Sequence, residues 1–155
     1  MKPRGWGSLG TARINRMRSP PLRVSPGNRL VAVASRDLAR GEAYAREWQI
    51  GRVHGSYEAL LADAEIDAVY IPLPNHLHAE WTVKAARAGK HVLCEKPLAL
   101  SVPDVDAMAA ACREAGVVLA EAFMYRHHPQ TLKVKELLDA GTIGRLRFLR
   151  GSFTF

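Results

Sequence analysis

The sequence predicts an α/β protein with a Rossmann-type doubly wound parallel sheet. Three observations predict it. First, Leu30-Val31-Ala32-Val33-Ala34, Asp67-Ala68-Val69-Tyr70-Ile71, His91-Val92-Leu93-Cys94 and Val117-Val118-Leu119-Ala120 are short, largely apolar runs. Runs without polar alternation fit strands buried on both faces, as parallel strands are. Second, helical segments of about ten residues or more separate most of these runs, the pattern of βαβ units. Third, a turn of small residues at 10–15 precedes the first of them.

The elements follow in order. Gly5–Leu9 is the first strand, although it is poor in β-branched residues. A helix from Ala12 would run into Ser19-Pro20-Pro21, where interior prolines remove donors and clash with the preceding turn. It either stops near Arg18 or is poorly ordered. After the strand at 30–34, residues 38–48 read as a helix ending near Gly51. Val53-His54 opens a connection to a short helix capped by Ser56. Pro72-Leu73-Pro74-Asn75 is a loop, and His78–Ala88 a helix closed by Gly89. Val102–Ala115 is a helix with Pro103-Asp104 at its start and Gly116 at its end. Thr131–Ala140 is the last helix. Arg145–Phe155 alternates as a half-buried strand with one wet face would, so residues 1–122 read as one domain and 123–155 as a connecting segment and the first strand of another.

Composition narrows the function. Of 155 residues, 48% are apolar and 24% charged, which suits a globular domain. No apolar run nears the roughly 20 residues that span a bilayer, so no membrane partner is expected. Two cysteines, Cys94 and Cys112, make no disulfide framework and point to a reducing cytoplasm. The net charge of +7 is local: residues 1–29 hold seven basic residues and no acid, leaving 15 Lys and Arg against 15 Asp and Glu elsewhere. An Arg-rich N-terminus fits a transit peptide, a phosphate-binding region or a solvated segment. Domain sequence already beginning by Gly7 disfavours the first. With no chain-wide basic surface and no platform of aromatic and basic residues, nucleic acid is not an expected partner.

The turn WGSLGTARI at 6–14 is a reduced dinucleotide fingerprint. Gly10 takes the first glycine position, Ala12 the second and Asn15 the third. In such a turn, backbone N–H groups at a helix start meet a pyrophosphate. At the end of the second strand, Ser35 and Arg36 stand where an acid would bind ribose hydroxyls; Ser35 can hydrogen-bond a 2′-phosphate and Arg36 can pair with it or stack on adenine. NADP is therefore expected before NAD. The bland alternative is that Arg36 merely begins a solvated helix. HVLCEKPL at 91–98 ends a buried strand in Glu95, Lys96 and Pro97. Strand ends of this kind open to ligands in α/β sheets, and an ammonium there can stabilise a developing alkoxide. An ordinary polar turn is the alternative.

With GTARI at 10–14, VASRD at 33–37, YEALLAD at 57–63, IDAVYIPLPNHLHAEW at 66–81, GKHVLCEKPLAL at 89–100 and EAFMYRHHPQ at 121–130, the chain resembles the Gfo/Idh/MocA oxidoreductases. The resemblance implies NAD(P)-dependent hydride transfer on a sugar, polyol or related small polyhydroxy compound, by a homo-oligomer of about twice this length. It makes Lys96 the catalytic lysine. Gly10, Thr11, Ala12, Arg13, Ile14, Ser35, Arg36, Pro72, Asn75, His78, Glu95, Lys96 and Pro97 become the cofactor-binding set, and Tyr125 and Arg126 candidate substrate contacts. Asn75 can equally serve only as a helix cap, and Tyr125 and Arg126 only as a packed ring and a surface charge. His76, His78, His127 and His128 lack the Cys or acid cluster that would complete a zinc site, so no metal is expected. The missing second half leaves open a non-catalytic nucleotide-binding module or gene remnant.

Overall fold

A computed structural model describes residues 3–15, 24–152 and 154. The expected helix from Ala12 toward Pro21 lies, from position 16 on, outside the described residues. Those described fall into two compact units, one running to Ala122 and one starting at Phe123.

The first unit is a six-stranded, wholly parallel sheet. Its strands are β1 Arg4–Leu9, β2 Asn28–Ala34, β3 Arg52–His54, β4 Ala68–Ile71, β5 His91–Cys94 and β6 Leu119–Glu121, in the spatial order β3-β2-β1-β4-β5-β6. Among the described residues, its α-helices are α1 Leu38–Trp48, α2 Tyr57–Leu61, α3 His78–Arg87 and α4 Val102–Glu114. Sequence order proceeds outward from β1 to β3 on one side, then returns to build β4 to β6 on the other. The crevice between the carboxyl ends of β1 and β4 is the switch point at which doubly wound sheets bind ligands.

Val31–Ala34 of β2 and all four residues of β4 are buried, as their unbroken apolar runs require. The core gathers Leu9, Leu60, Ile66, Val69, Ile71, Trp81 and Met108 in one cluster, while Tyr44 and Ala45 of α1 pack with Val33 and Ile50 in another. Ser56 caps α2, its side chain accepting from Ala59 N, and Gly89 follows α3 at φ 72°. Arg52–His54, expected as a connection, is the edge strand β3; all three residues are half-buried and pair with Ala32–Ala34.

The second unit holds a 3₁₀ turn, Met124–His127, and α5, Pro129–Asp139. The strand expected from Arg145 does not form among the described residues. Its alternation supplies one apolar face, but a strand also needs a neighbour for its backbone groups, and no described segment pairs with it.

Candidate functional site

Three loops converge at the carboxyl ends of β1, β2 and β4. Gly10 follows β1 with φ 100°, a conformation open to glycine and strained for other residues. A Cβ there would lie 3.3 Å from Leu73 Cδ2, so the loops after β1 and β4 are in near contact. The Gly10 N–H donates to Ala34 O at 2.9 Å, tying the first loop to β2. Among the described residues, the backbone N–H groups of Thr11, Ala12 and Arg13 have no backbone acceptor, which leaves donors at the head of the loop for an anion.

Ser35 is buried and Arg36 exposed. Asp37 caps α1 by accepting from Arg40 N at 3.1 Å. Gly41 lets α1 press against the end of β2: a Cβ there would meet Ser35 Cβ at 3.0 Å. That approach brings Arg40 beside Ser35 and Arg36, around a groove of about 300 Å³ that also includes Gly10, Thr11 and Pro72. An adjoining cleft of about 370 Å³ is lined by Thr11, Arg13, Arg40 and Tyr44. Arg40 therefore borders both, and reading from the sequence missed it. A signal was present. The first turn of α1 holds no acid and carries Arg40, although the helix dipole disfavours a cation there. A cation against the dipole suits an anionic ligand.

The loop after β5 carries the second cluster. Glu95 is buried; its Oε1 accepts from Tyr70 Oη at 2.7 Å and its Oε2 from Lys96 N at 3.2 Å. Lys96 and Pro97 are exposed, and the peptide between them is cis. From β6, Glu121 Oε1 accepts from Leu98 N at 3.0 Å and holds the far side of this loop. Cys94, just before it, is fully buried; burial, reinforced by the nearby carboxylates of Glu95 and Glu121, pushes its thiol up to about 12, so it is no nucleophile at neutral pH.

His78 was expected on the cofactor surface. The structure has it fully buried, with Nδ1 2.9 Å from Pro97 O and Nε2 2.8 Å from Leu73 O. It fastens the loop after β4 to the loop after β5. Asn75 is exposed in a 3₁₀ turn, Asn75–Leu77, and its side chain caps neither that turn nor α3, so the capping alternative does not hold. Tyr125 and Arg126 belong to the second unit and are exposed; the Tyr125 ring meets Phe123 edge-on at 5.8 Å. Among the described residues, no group of three or more His, Cys, Asp or Glu could hold a metal ion, and no helix is long and apolar enough to cross a membrane.

A parallel sheet in this order, with a glycine turn at its switch point, defines a dinucleotide-binding fold. The chain belongs to the Gfo/Idh/MocA oxidoreductase family with an NAD-binding Rossmann fold, whose model matches residues 5–123. It is 49% identical over 150 residues to D-xylose 1-dehydrogenase (NADP(+)) 2 of Haloferax volcanii, covering 97% of this chain and 46% of that one. It is 44% identical over 149 residues to a dTDP-3,4-didehydro-2,6-dideoxy-alpha-D-glucose 3-reductase of Actinomadura kijaniata, covering 96% and 45%. A solved structure of a 3-ketoreductase from Actinomadura kijaniata in complex with NADP superposes with a TM-score of 0.84 at 44% identity, covering 92% of this chain and 46% of that one. The chain thus spans about half the length of the curated relatives it matches.

Proposed function

We propose that this chain is the cofactor-binding half of an NADP-dependent oxidoreductase that transfers hydride to or from a sugar, polyol or related hydroxy or carbonyl compound. Residues 1–122 are its dinucleotide domain, and 123–155 lead into a substrate domain. The observation that carries the reading is the gathering of Gly10, Ser35, Arg36 and Arg40 around one groove at the sheet's switch point.

The residues present fit the cofactor. Gly10 leaves room for backbone to approach a pyrophosphate, and a Cβ would press on Leu73. The N–H groups of Thr11, Ala12 and Arg13 would supply the donors for its phosphates, with Ile14 at the end of the loop. Ser35, Arg36 and Arg40 offer a hydroxyl and two guanidinium forks, the donor set that suits a 2′-phosphate and not a bare ribose diol. Pro72 and Asn75 would hold the nicotinamide end, with His78 supporting their loop by its contacts to Leu73 O and Pro97 O.

The nicotinamide, when bound, supplies or accepts the hydride. Lys96 does the complementary work. Its ammonium donates a hydrogen bond to the substrate oxygen, stabilising negative charge as a ketone is reduced. In the reverse direction it steadies the alkoxide that releases the hydride. Glu95, fixed by Tyr70 and by the Lys96 amide, holds that lysine's backbone at the edge of the site. Pro97 shapes the exit of the strand, and Tyr125 and Arg126 are assigned to the substrate side. We assign the enzyme to the cytoplasm, a reading its two free, buried cysteines support, and to a homo-oligomer whose partners are small molecules and not nucleic acid or membrane.

Fluorescence titration with NADPH tests the reading. The chain should saturate well below about 1 mM, and Lys96→Ala should still saturate below that limit because the lysine's main work is at the substrate oxygen. Failure to saturate by about 1 mM would refute it.

A further inference from the structure

The loop after β1 departs from the glycine fingerprint at its third position, where Asn15 stands. A glycine there serves close packing of helix on strand. Asn15 is packed inside instead, 1% exposed. Its Nδ2 donates to Gly10 O at 3.0 Å and to Ser8 Oγ at 3.1 Å. The Ser8 hydroxyl donates to the same Gly10 carbonyl at 3.1 Å. Donors and acceptors balance around this triangle. Two amide protons and one hydroxyl proton meet one hydroxyl oxygen and the two lone pairs of one carbonyl. The Gly10 N–H is held by Ala34 O, so the peptide groups on both sides of the positive-φ residue are fastened. Among the described residues, Asn15 Oδ1 is buried without a hydrogen-bond partner, a penalty that Gly or Ala at this position would avoid.

We propose that Asn15 is a positioning residue. Through the Gly10 carbonyl and Ser8, it holds residues 10–14 in the form that receives a pyrophosphate, without touching the cofactor itself. The inference rests on the NADP reading above and goes beyond it. Restoring the fingerprint glycine should then weaken binding, not improve it.

The test uses the full chain and two ligands. NADPH engages the whole site. Adenosine 2′-monophosphate lacks the pyrophosphate and engages only the Ser35, Arg36 and Arg40 end. Asn15→Gly and Asn15→Ala should raise the Kd for NADPH about tenfold, as expected for a lost pair of buried hydrogen bonds. Asn15→Asp keeps the shape but cannot donate to Gly10 O, and should weaken NADPH at least as much. All three should bind adenosine 2′-monophosphate within about twofold of the unaltered chain, well under the tenfold step that 1.4 kcal/mol makes. Ser8→Ala removes two sides of the triangle but keeps the bond from Asn15 to Gly10; it should weaken NADPH about threefold, and it decides the matter should the Asn15 variants not fold. Unchanged NADPH affinity in the Asn15 variants, or in Ser8→Ala when it stands alone, would overturn the proposal. So would equal weakening of both ligands, which marks a general structural role. An unaltered chain that binds neither ligand overturns the functional reading, and the role of Asn15 with it.

Discussion

Tyr70→Phe removes a single oxygen from the centre of the sheet and should loosen the loop that carries Lys96. Tyr70 is 2% exposed on β4, and its hydroxyl donates to Glu95 Oε1 at 2.7 Å. Glu95 itself is 7% exposed. The ring of Phe fills the same space, so the loss is the hydrogen bond and the partial desolvation of a carboxylate. Hydrogen bonds to charged groups contribute about 1.5–3 kcal/mol, and a bond this short in a buried setting belongs within that range. We expect a loss of about 2 kcal/mol, which lowers the melting temperature by roughly 5–12 °C for a unit of this size. Urea unfolding followed by tryptophan fluorescence, at neutral pH, measures it. A double-mutant cycle with Glu95→Gln assigns the loss to the pair, with a coupling of about 1 kcal/mol or more. A Tyr70→Phe chain within about 0.5 kcal/mol of the parent would refute the reasoning, because a buried carboxylate that loses its shortest hydrogen bond should lose more than that.

Two further predictions concern the frame of the sheet. Gly5→Ala drives a Cβ into the Glu65 carbonyl oxygen, a backbone atom that cannot swing aside; it should destabilise by about 3 kcal/mol or leave the protein insoluble, and an expressed chain of parental stability in urea would contradict this. Asp63 is half-buried with its side chain largely covered, which by itself raises its carboxyl, but hydrogen bonds from Arg52, the Glu65 N–H and His54 overcome that and bring it from 3.8 down to about 2. The folded state therefore binds fewer protons than the unfolded one across this window. Its contribution is full above about pH 4 and fades as the pH falls toward 2. With Arg52 partly exposed to solvent, that contribution is about 1 kcal/mol. Asp63→Asn should remove this part of the acid dependence, and an unaltered slope of stability between pH 5 and pH 2.5 would contradict it.

The parts of the fold legible in the sequence are those where burial on two faces erases polar alternation. β2 and β4 announced themselves in this way; β5 read as an apolar run although only Val92 and Cys94 of it are buried, and Gly89 and Gly116 punctuated their helices. β1 was harder to read because packing, not propensity, chose its residues: Gly5 lies under the Glu65 carbonyl and Gly7 under Leu60, where a Cβ would come within 2.6 Å of Cδ2. β3 was taken for a connection because three half-buried residues at a sheet edge, two of them Arg and His, carry little pattern. The site divides similarly. Gly10, Ser35, Arg36 and Lys96 sit at strand ends, where position alone suggests a role. The role of His78 was not legible, because both of its partners are backbone carbonyls far apart in sequence or hidden by a turn. Arg40 and Asn15 required knowing that α1 presses on Ser35 and that the first loop folds back on Gly10. The alternation from Arg145 was a true apolar pattern, but a pattern names a face and not the neighbour that pairs with it.

The central claim is that the groove formed by Gly10, Ser35, Arg36 and Arg40 is an NADP site. The most direct measurement is the ratio of dissociation constants for NADH and NADPH, in the unaltered chain and in Arg36→Ala. The account predicts a preference for NADPH of about tenfold or more in the unaltered chain, collapsing toward unity in the variant as a charge-assisted contact is lost. A chain that binds NADH as tightly as NADPH, or an Arg36→Ala variant that keeps the full preference, would contradict it.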